Sequence, residues 1–94
     1  MELKQAFGQA LRLMRKARLL SQEDFGGYCS QTYLSQLETG AKAPSLEMVN
    51  MLASAMGVHP LTVLMECYLL VDDSTNLEAL IERIRDEVNR PPMV

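Results

Sequence analysis

Four polar side chains lie close together in the middle of this sequence, at spacings that place them on one face of a short helix. They are Gln31, Thr32, Ser35 and Gln36. The same spacing predicts that the apolar Leu34 and Leu37 point to the opposite side. Amide and hydroxyl groups donate and accept hydrogen bonds, so the chemistry on offer is non-covalent recognition. By itself such a face is more often solvated surface, because a polar outer face is the default for a helix of a globular protein.

Side chains suited to catalysis or metal binding are sparse and scattered. Cys29 and Cys67 form neither a metal-ligand spacing nor a CxxC pair, and they suit a reducing cytosol. His59 is the only histidine and directly precedes Pro60, which favours a loop or capping role. The sequence contains no nucleophile–base pair, no metal-ligand cluster and no glycine-rich phosphate loop. We therefore predict that the chain is not an enzyme and that it binds no cofactor and no metal.

Apolar residues recur at three- and four-residue steps, which predicts an all-α fold. The first helix carries an apolar stripe formed by Leu3, Phe7, Ala10, Leu11, Met14 and Ala17. The second helix is short, about residues 22–28, with Ser21 as its N-cap and the acidic Glu23 and Asp24 in its first turn. The third runs from Gln31 to Glu38 behind the N-cap Ser30.

The second half of the chain continues the helical pattern. Ser45 is the predicted N-cap of a fourth helix that ends at Gly57, and Pro60 suits the first position of a fifth. Thr75 with Glu78 has the spacing of a capping box for a last, amphipathic helix. That helix carries an apolar stripe formed by Leu77, Leu80, Ile81, Ile84 and Val88.

The formal net charge of −3 is unevenly distributed. Residues 1–45 hold six basic and four acidic side chains, whereas residues 46–94 hold three basic and eight acidic ones. Binding to nucleic acid phosphates depends on the local field, so an acidic total does not exclude it. Arg12, Lys16 and Arg18 favour a solvated basic face over specific contacts. An acidic second half would orient the basic half toward a polyanion.

Several motifs in order along the chain resemble the Xre/Cro/C1 family of bacterial and phage regulators. The first is Gly8-x-x-Leu11-Arg12-x-x-Arg15 followed by the stretch from Leu20 to Phe25. The second runs from Tyr33 to Gly40, and the third comprises residues 44–46 and 52–58. The resemblance covers residues 7 to about 65. It implies a five-helix lambda-repressor-like domain in which two short helices form a helix-turn-helix that binds duplex DNA.

The sequence departs from the family pattern between Phe25 and Tyr33, where it is about two residues short. Gly26-Gly27-Tyr28-Cys29 stands where the family has an Ala-x-x-Ala-Gly-Val-Ser stretch. We therefore expect a tighter turn than usual, with the two glycines letting the backbone pack closely.

The resemblance also implies roles for individual residues. Gln31, Thr32 and Gln36 take positions at which the family reads bases, and a glutamine can pair bidentately with adenine. Tyr33 and Ser35 are expected at phosphates or groove walls, Gln22 at a phosphate, and Lys42 at a phosphate or in the minor groove. Arg15 and Glu38 match an internal ion pair of the scaffold. The predicted DNA-binding set is Gln22, Ser30, Gln31, Thr32, Tyr33, Ser35, Gln36 and Lys42.

The final amphipathic helix has two readings. It packs on its own domain, or it pairs with the same helix of a second subunit. We favour the pairing, because a tail helix follows a domain that is already complete and because a dimer sets two recognition helices about 34 Å apart, on successive major grooves. This divides the chain into a DNA-binding domain, residues 1–70, and a linker with a dimerisation or packing helix, residues 71–94.

The resulting hypothesis is a sequence-specific transcriptional regulator, a repressor, that binds a palindromic operator as a homodimer. The alternative is an antitoxin-like module that uses the same scaffold to bind a protein partner, which the short turn and the acidic composition favour. No signal peptide or membrane span is evident, so we expect a cytoplasmic, nucleoid-associated protein.

Overall fold

A computed structural model describes residues 1–90, so residues 91–94, the end of the predicted C-terminal element, lie outside it. The described part contains five α-helices and no strands. They are α1 (Leu3–Ala17), α2 (Gln31–Glu38), α3 (Leu46–Met56), α4 (Pro60–Val71) and α5 (Leu77–Val88). One 3₁₀ turn, Gln22–Phe25, lies between α1 and α2. The predicted all-α, lambda-repressor-like architecture is confirmed.

The core forms where α1 packs along α4 and where α2 and α3 close the two sides. Its largest fully buried side chains come from the 3₁₀ turn and from all of the first four helices: Phe25, Leu11, Leu34, Leu37, Leu52, Val63 and Cys67. Leu34 and Leu37 point inward as expected, which leaves the other side of α2 free. The ends of the predicted α1 stripe, Leu3 and Ala17, are exposed.

Side-chain caps fix where three helices begin. The Oγ atoms of Ser30 and Ser45 accept hydrogen bonds from the backbone N–H groups of Tyr33 and Met48, both at 3.1 Å. Each bond satisfies a donor that the first helical turn leaves without a partner. His59 Nδ1 does the same for Leu61 N at 3.0 Å, which makes His59 the N-cap of α4.

The second helix differs from its predicted extent of residues 22–28. Only the 3₁₀ turn Gln22–Phe25 forms, and the backbone N–H groups of Tyr28 and Cys29 both donate to the Phe25 carbonyl oxygen, at 2.9 and 3.1 Å. Gly26 fits the expected close packing, because a Cβ atom on it would lie 3.2 Å from the Glu23 carbonyl oxygen, but Gly27 does not. Neither has a positive φ, and a Cβ atom on Gly27 would meet nothing within 4 Å.

The last helix also begins differently from the prediction. Asn76, and not Thr75, is the N-cap, because its Oδ1 accepts a hydrogen bond from Ala79 N at 2.9 Å. No residue of α5 is buried. Leu80 and Ile84 instead form one wall of an open groove of about 370 Å³, and Leu61, Met65 and Tyr68 of α4 contribute to the other wall.

Within residues 1–90, no single helix is long and apolar enough to cross a bilayer. The pair α3 and α4 reaches the required length and composition only when the two are joined across a bend of 106°.

Candidate nucleic-acid interface

The exposed side of α2 forms one wall of an open, shallow groove of about 380 Å³. Its lining residues are Gln22, Gln31, Thr32, Ser35 and Gln36. The buried Leu34 and Leu37 anchor the opposite side of α2 in the core, so the polar side chains must face outward. The structure therefore brings together five of the eight predicted DNA-binding residues on one surface, which we call the recognition face.

An ion pair fixes α2 against α1 beneath this face. Arg15 Nε donates to Glu38 Oε2 at 2.7 Å, and Arg15 Nη2 donates to Glu38 Oε1 at 3.0 Å. Arg15 Nη1 also donates to the Leu20 carbonyl oxygen at 2.9 Å, which ties in the turn after α1. A bidentate arginine–carboxylate pair resists rotation as well as separation. The internal ion pair that the family resemblance implies is thus present.

The environment of Arg15 favours its charged form. The hydrogen bond with Glu38 is the main reason that the pKa of the Arg15 guanidinium lies above its ordinary value, although burial acts in the opposite direction. Both side chains are nearly enclosed, with 9% of Arg15 and 5% of Glu38 exposed. The pair is therefore an enclosed part of the scaffold that joins α1 to α2.

Gln22 belongs to this network as well as to the recognition face. Its Nε2 donates to Glu38 Oε1 at 3.2 Å, so the carboxylate orients the amide. One amide hydrogen and the amide oxygen are not used by that bond. The position at the start of the 3₁₀ turn is the one at which the sequence predicts a phosphate contact.

The other three predicted residues lie elsewhere. Ser30 uses its Oγ atom to cap α2. Tyr33 lies outside the lining of the recognition face, and its half-buried ring packs against the core. Lys42 Nζ lies 5.8 Å from the centroid of the Tyr33 ring, within the range of a cation–π contact. This contact holds the lysine of the α2–α3 loop close to the start of α2.

One polar residue on the same side of α2 is missing from the predicted set. Thr39 follows Ser35 by four residues and Gln36 by three, so it continues their row at the end of the helix. Its hydroxyl donates to the Gln36 carbonyl oxygen at 3.3 Å. Helical spacing from Ser35 and Gln36 predicts that Thr39 shares their face. Gly40 directly after Thr39 marks the end of the helix, which places Thr39 outside the predicted recognition helix.

Neither Cys29 nor Cys67 lines the recognition face. Burial raises the pKa of the Cys29 thiol and that of the Cys67 thiol. Both are free cysteines, and the raised pKa values keep them in the less reactive thiol form.

Comparison with known proteins agrees with this geometry. A family model described as helix-turn-helix matches residues 11–63. The chain is also similar to the crystal structure of the clp gene regulator ClgR from C. glutamicum, at 30% sequence identity and a TM-score of 0.69. That match covers 82% of this chain and 97% of the other. No curated protein sequence matched the chain.

Proposed function

This chain belongs to the Xre/Cro/C1-type helix-turn-helix family of DNA-binding regulators, and from that premise we propose that it is a repressor that binds a palindromic operator as a homodimer. The observation that carries the proposal is the recognition face, in which two glutamines, a threonine and a serine lie on one side of α2, next to Gln22. Binding here means hydrogen bonding to base edges and phosphates, without covalent chemistry.

The position of each residue on or beside α2 determines whether we assign it a base contact or a phosphate contact. Gln31 and Thr32 are exposed at the N-terminal end of α2, the end that enters the major groove in helix-turn-helix proteins. Gln31 is suited to pair with adenine through its amide, and Thr32 is suited to a base edge or a thymine methyl group. Gln36 lies one turn further along. Gln22 and Lys42 flank the helix and supply phosphate contacts, which set the register of the protein on DNA.

The dimer places two recognition faces on one side of the duplex. The apolar stripe of α5 supports the dimer, because Ile81 and Ile84 are 37% and 41% exposed in a single chain. We assign residues 1–70 to DNA binding and residues 71–94 to dimerisation. A protein with this function acts on nucleoid DNA in the cytoplasm, and repression follows where the operator overlaps a promoter.

The test is a titration of the protein against the DNA that flanks its own gene, at two salt concentrations. We expect a discrete site that persists at the higher salt, with an affinity that falls as salt rises. Gln31→Ala should weaken binding to this site by about 1–3 kcal/mol and relax selectivity at one base pair. Asn50→Ala, which removes an exposed amide from α3, is the matched control and should leave binding unchanged.

Two results would contradict the assignment. If Gln31→Ala weakened binding equally on every duplex, Gln31 would contact the backbone instead of a base. If the wild-type protein bound no duplex even at low salt, DNA binding would be wrong, and the antitoxin-like, protein-binding alternative would take its place.

A further inference from the structure

A second open groove, of about 600 Å³, lies between α1 and the C-terminal end of α2, and Met1 and Leu13 line it together with polar side chains. One wall is a row of exposed side chains on α1, namely Gln5, Gln9, Arg12 and Lys16. The other wall is the end of α2, with Glu38 and Thr39. We call this surface the α1 groove.

The position of the α1 groove relative to the recognition face is fixed by the packing of α1 on α2. Thr39 lines the groove and also continues the row of Ser35 and Gln36 along α2. Gly8 lets α1 approach the end of α2 so closely that a Cβ atom there would lie 2.3 Å from the Leu37 carbonyl oxygen. A ligand that spans Gln36 and Thr39 therefore reaches the α1 side chains without any rearrangement of the helices.

The α1 groove is positively charged in spite of its acidic member. Glu38 already accepts hydrogen bonds from Arg15 and Gln22, so its charge is compensated within the scaffold. Arg12 and Lys16 are exposed, and neither has an acidic partner among residues 1–90. Two uncompensated cations beside two amides form a surface suited to an oxyanion.

We propose that the α1 groove binds a backbone phosphate of DNA, on the strand that flanks the base pairs contacted by the recognition face. This inference rests on the proposed function, because the DNA is positioned by α2. It assigns to Arg12 and Lys16 a phosphate contact in place of the solvated role that the sequence alone favours. It also lengthens the footprint of each subunit beyond the residues of the helix-turn-helix.

A structural role is the competing explanation. Cations near the C-terminal end of a helix stabilise it through the helix dipole, and Arg12 and Lys16 lie near the end of α2. In that case their removal would lower the stability of the protein and leave its affinity for DNA unchanged.

The test compares two variants of equal net charge. Arg12→Gln/Lys16→Gln removes the cations of the α1 groove, and Lys4→Gln/Arg18→Gln removes two exposed cations that do not line it. For each, affinity for the operator is measured over a series of salt concentrations, and folding is followed by circular dichroism. Log K falls as log salt rises, and each lost phosphate contact makes this negative slope shallower by about 0.9. We expect the magnitude of this slope to fall by about 0.9 for the groove variant, which loses one phosphate contact, and to stay near the wild-type value for the control.

A second arm locates the phosphate. On a duplex that keeps the base pairs contacted by the recognition faces but lacks the flanking phosphates, the difference between the wild type and the groove variant should disappear. The single variants Arg12→Gln and Lys16→Gln should each show about half of the slope change, and they replace the double variant if it does not fold.

Three outcomes would overturn the inference: an equal loss of slope in the control, an unchanged slope in the groove variant, or a loss of thermal stability without a loss of affinity. Each differs from failure of the proposed function, in which the wild-type protein binds no duplex and Gln31→Ala has no effect.

Discussion

Gly8 lies where α1 crosses the end of α2, and a Cβ atom there would lie 2.3 Å from the Leu37 carbonyl oxygen and 2.6 Å from that of Glu38. Both obstacles are backbone atoms, which cannot turn away as a flexible side chain does. Gly8→Ala should therefore push the two helices apart and lower the free energy of unfolding by about 1–3 kcal/mol, the usual cost of overpacking. Denaturant unfolding measures this change.

Gly27→Ala is the matched control for that prediction. A Cβ atom on Gly27 meets nothing within 4 Å, and its φ is not positive. The substitution should be neutral or stabilising by up to about 1 kcal/mol, because alanine restricts the unfolded chain. Equal losses of stability in both variants would show that the close approach at Gly8 is not what the protein requires.

Contacts between individual residues were the part of the site that the sequence predicted least. The Arg15–Glu38 pair was available only through the family resemblance, since 23 positions separate its members. The approach of Lys42 to the Tyr33 ring depends on the path of the α2–α3 loop. Helical spacing does predict which residues share a face of α2, and it correctly groups Gln31, Thr32, Ser35 and Gln36.

Among the elements, α1 ends in a conformation that its sequence does not favour. Leu19 has a φ of 58° and follows the C-cap Arg18, in the position where helices usually place glycine. The left-handed conformation costs an L-residue roughly 1–2 kcal/mol. Leu19 is 92% exposed, so packing of its side chain does not offset this cost.

Leu19→Gly should raise the free energy of unfolding by about 0.5–1 kcal/mol, because relief of strain exceeds the entropy that glycine loses on folding. Leu13→Gly is the control: Leu13 is also exposed but lies within α1, where glycine costs about 1 kcal/mol. Thermal melts of the two variants should move in opposite directions. A destabilised Leu19→Gly would mean that the leucine makes a contact in solution that a single chain does not contain.

The ends of the elements were predictable where a local signal decides them. Ser30, Ser45 and Gly57 mark the ends of α2 and α3 where the sequence places them, because caps act within a few residues. The second helix was predicted too long: Phe25 is the only buried residue of the 3₁₀ turn, and the two residues after it are glycines, which form helix poorly. At α5, Thr75 and Asn76 are neighbouring residues that can both cap a helix, and Asn76 is the one whose side chain accepts the Ala79 N–H.

At the scale of the whole molecule, the two halves of the chain carry different charges and different surfaces. Residues 1–45 hold the basic excess together with the recognition face and the α1 groove. Residues 46–94 hold the acidic excess and include α5. A single chain approaching DNA is therefore oriented with its basic half forward. The apolar stripe of α5 stays accessible, because electrostatics directs α5 away from the phosphates.

This arrangement makes the dimer testable separately from DNA contacts. Ile84→Asp places a carboxylate in the middle of the apolar stripe, and Ala79→Asp places the same group on the opposite side of α5. If a second α5 covers the stripe, the first variant loses a buried isoleucine and buries an unpaired charge, each of which costs about 1–3 kcal/mol. We expect the dissociation constant of the dimer to rise roughly 100-fold or more for Ile84→Asp and to stay unchanged for Ala79→Asp, as measured by sedimentation velocity over a range of concentrations.

On DNA, Ile84→Asp should weaken binding to a palindrome far more than binding to a single half-site, because only the palindrome uses both subunits. An Ile84→Asp protein that keeps its dimeric mass but melts at a lower temperature would mean that α5 packs on α4 of its own chain.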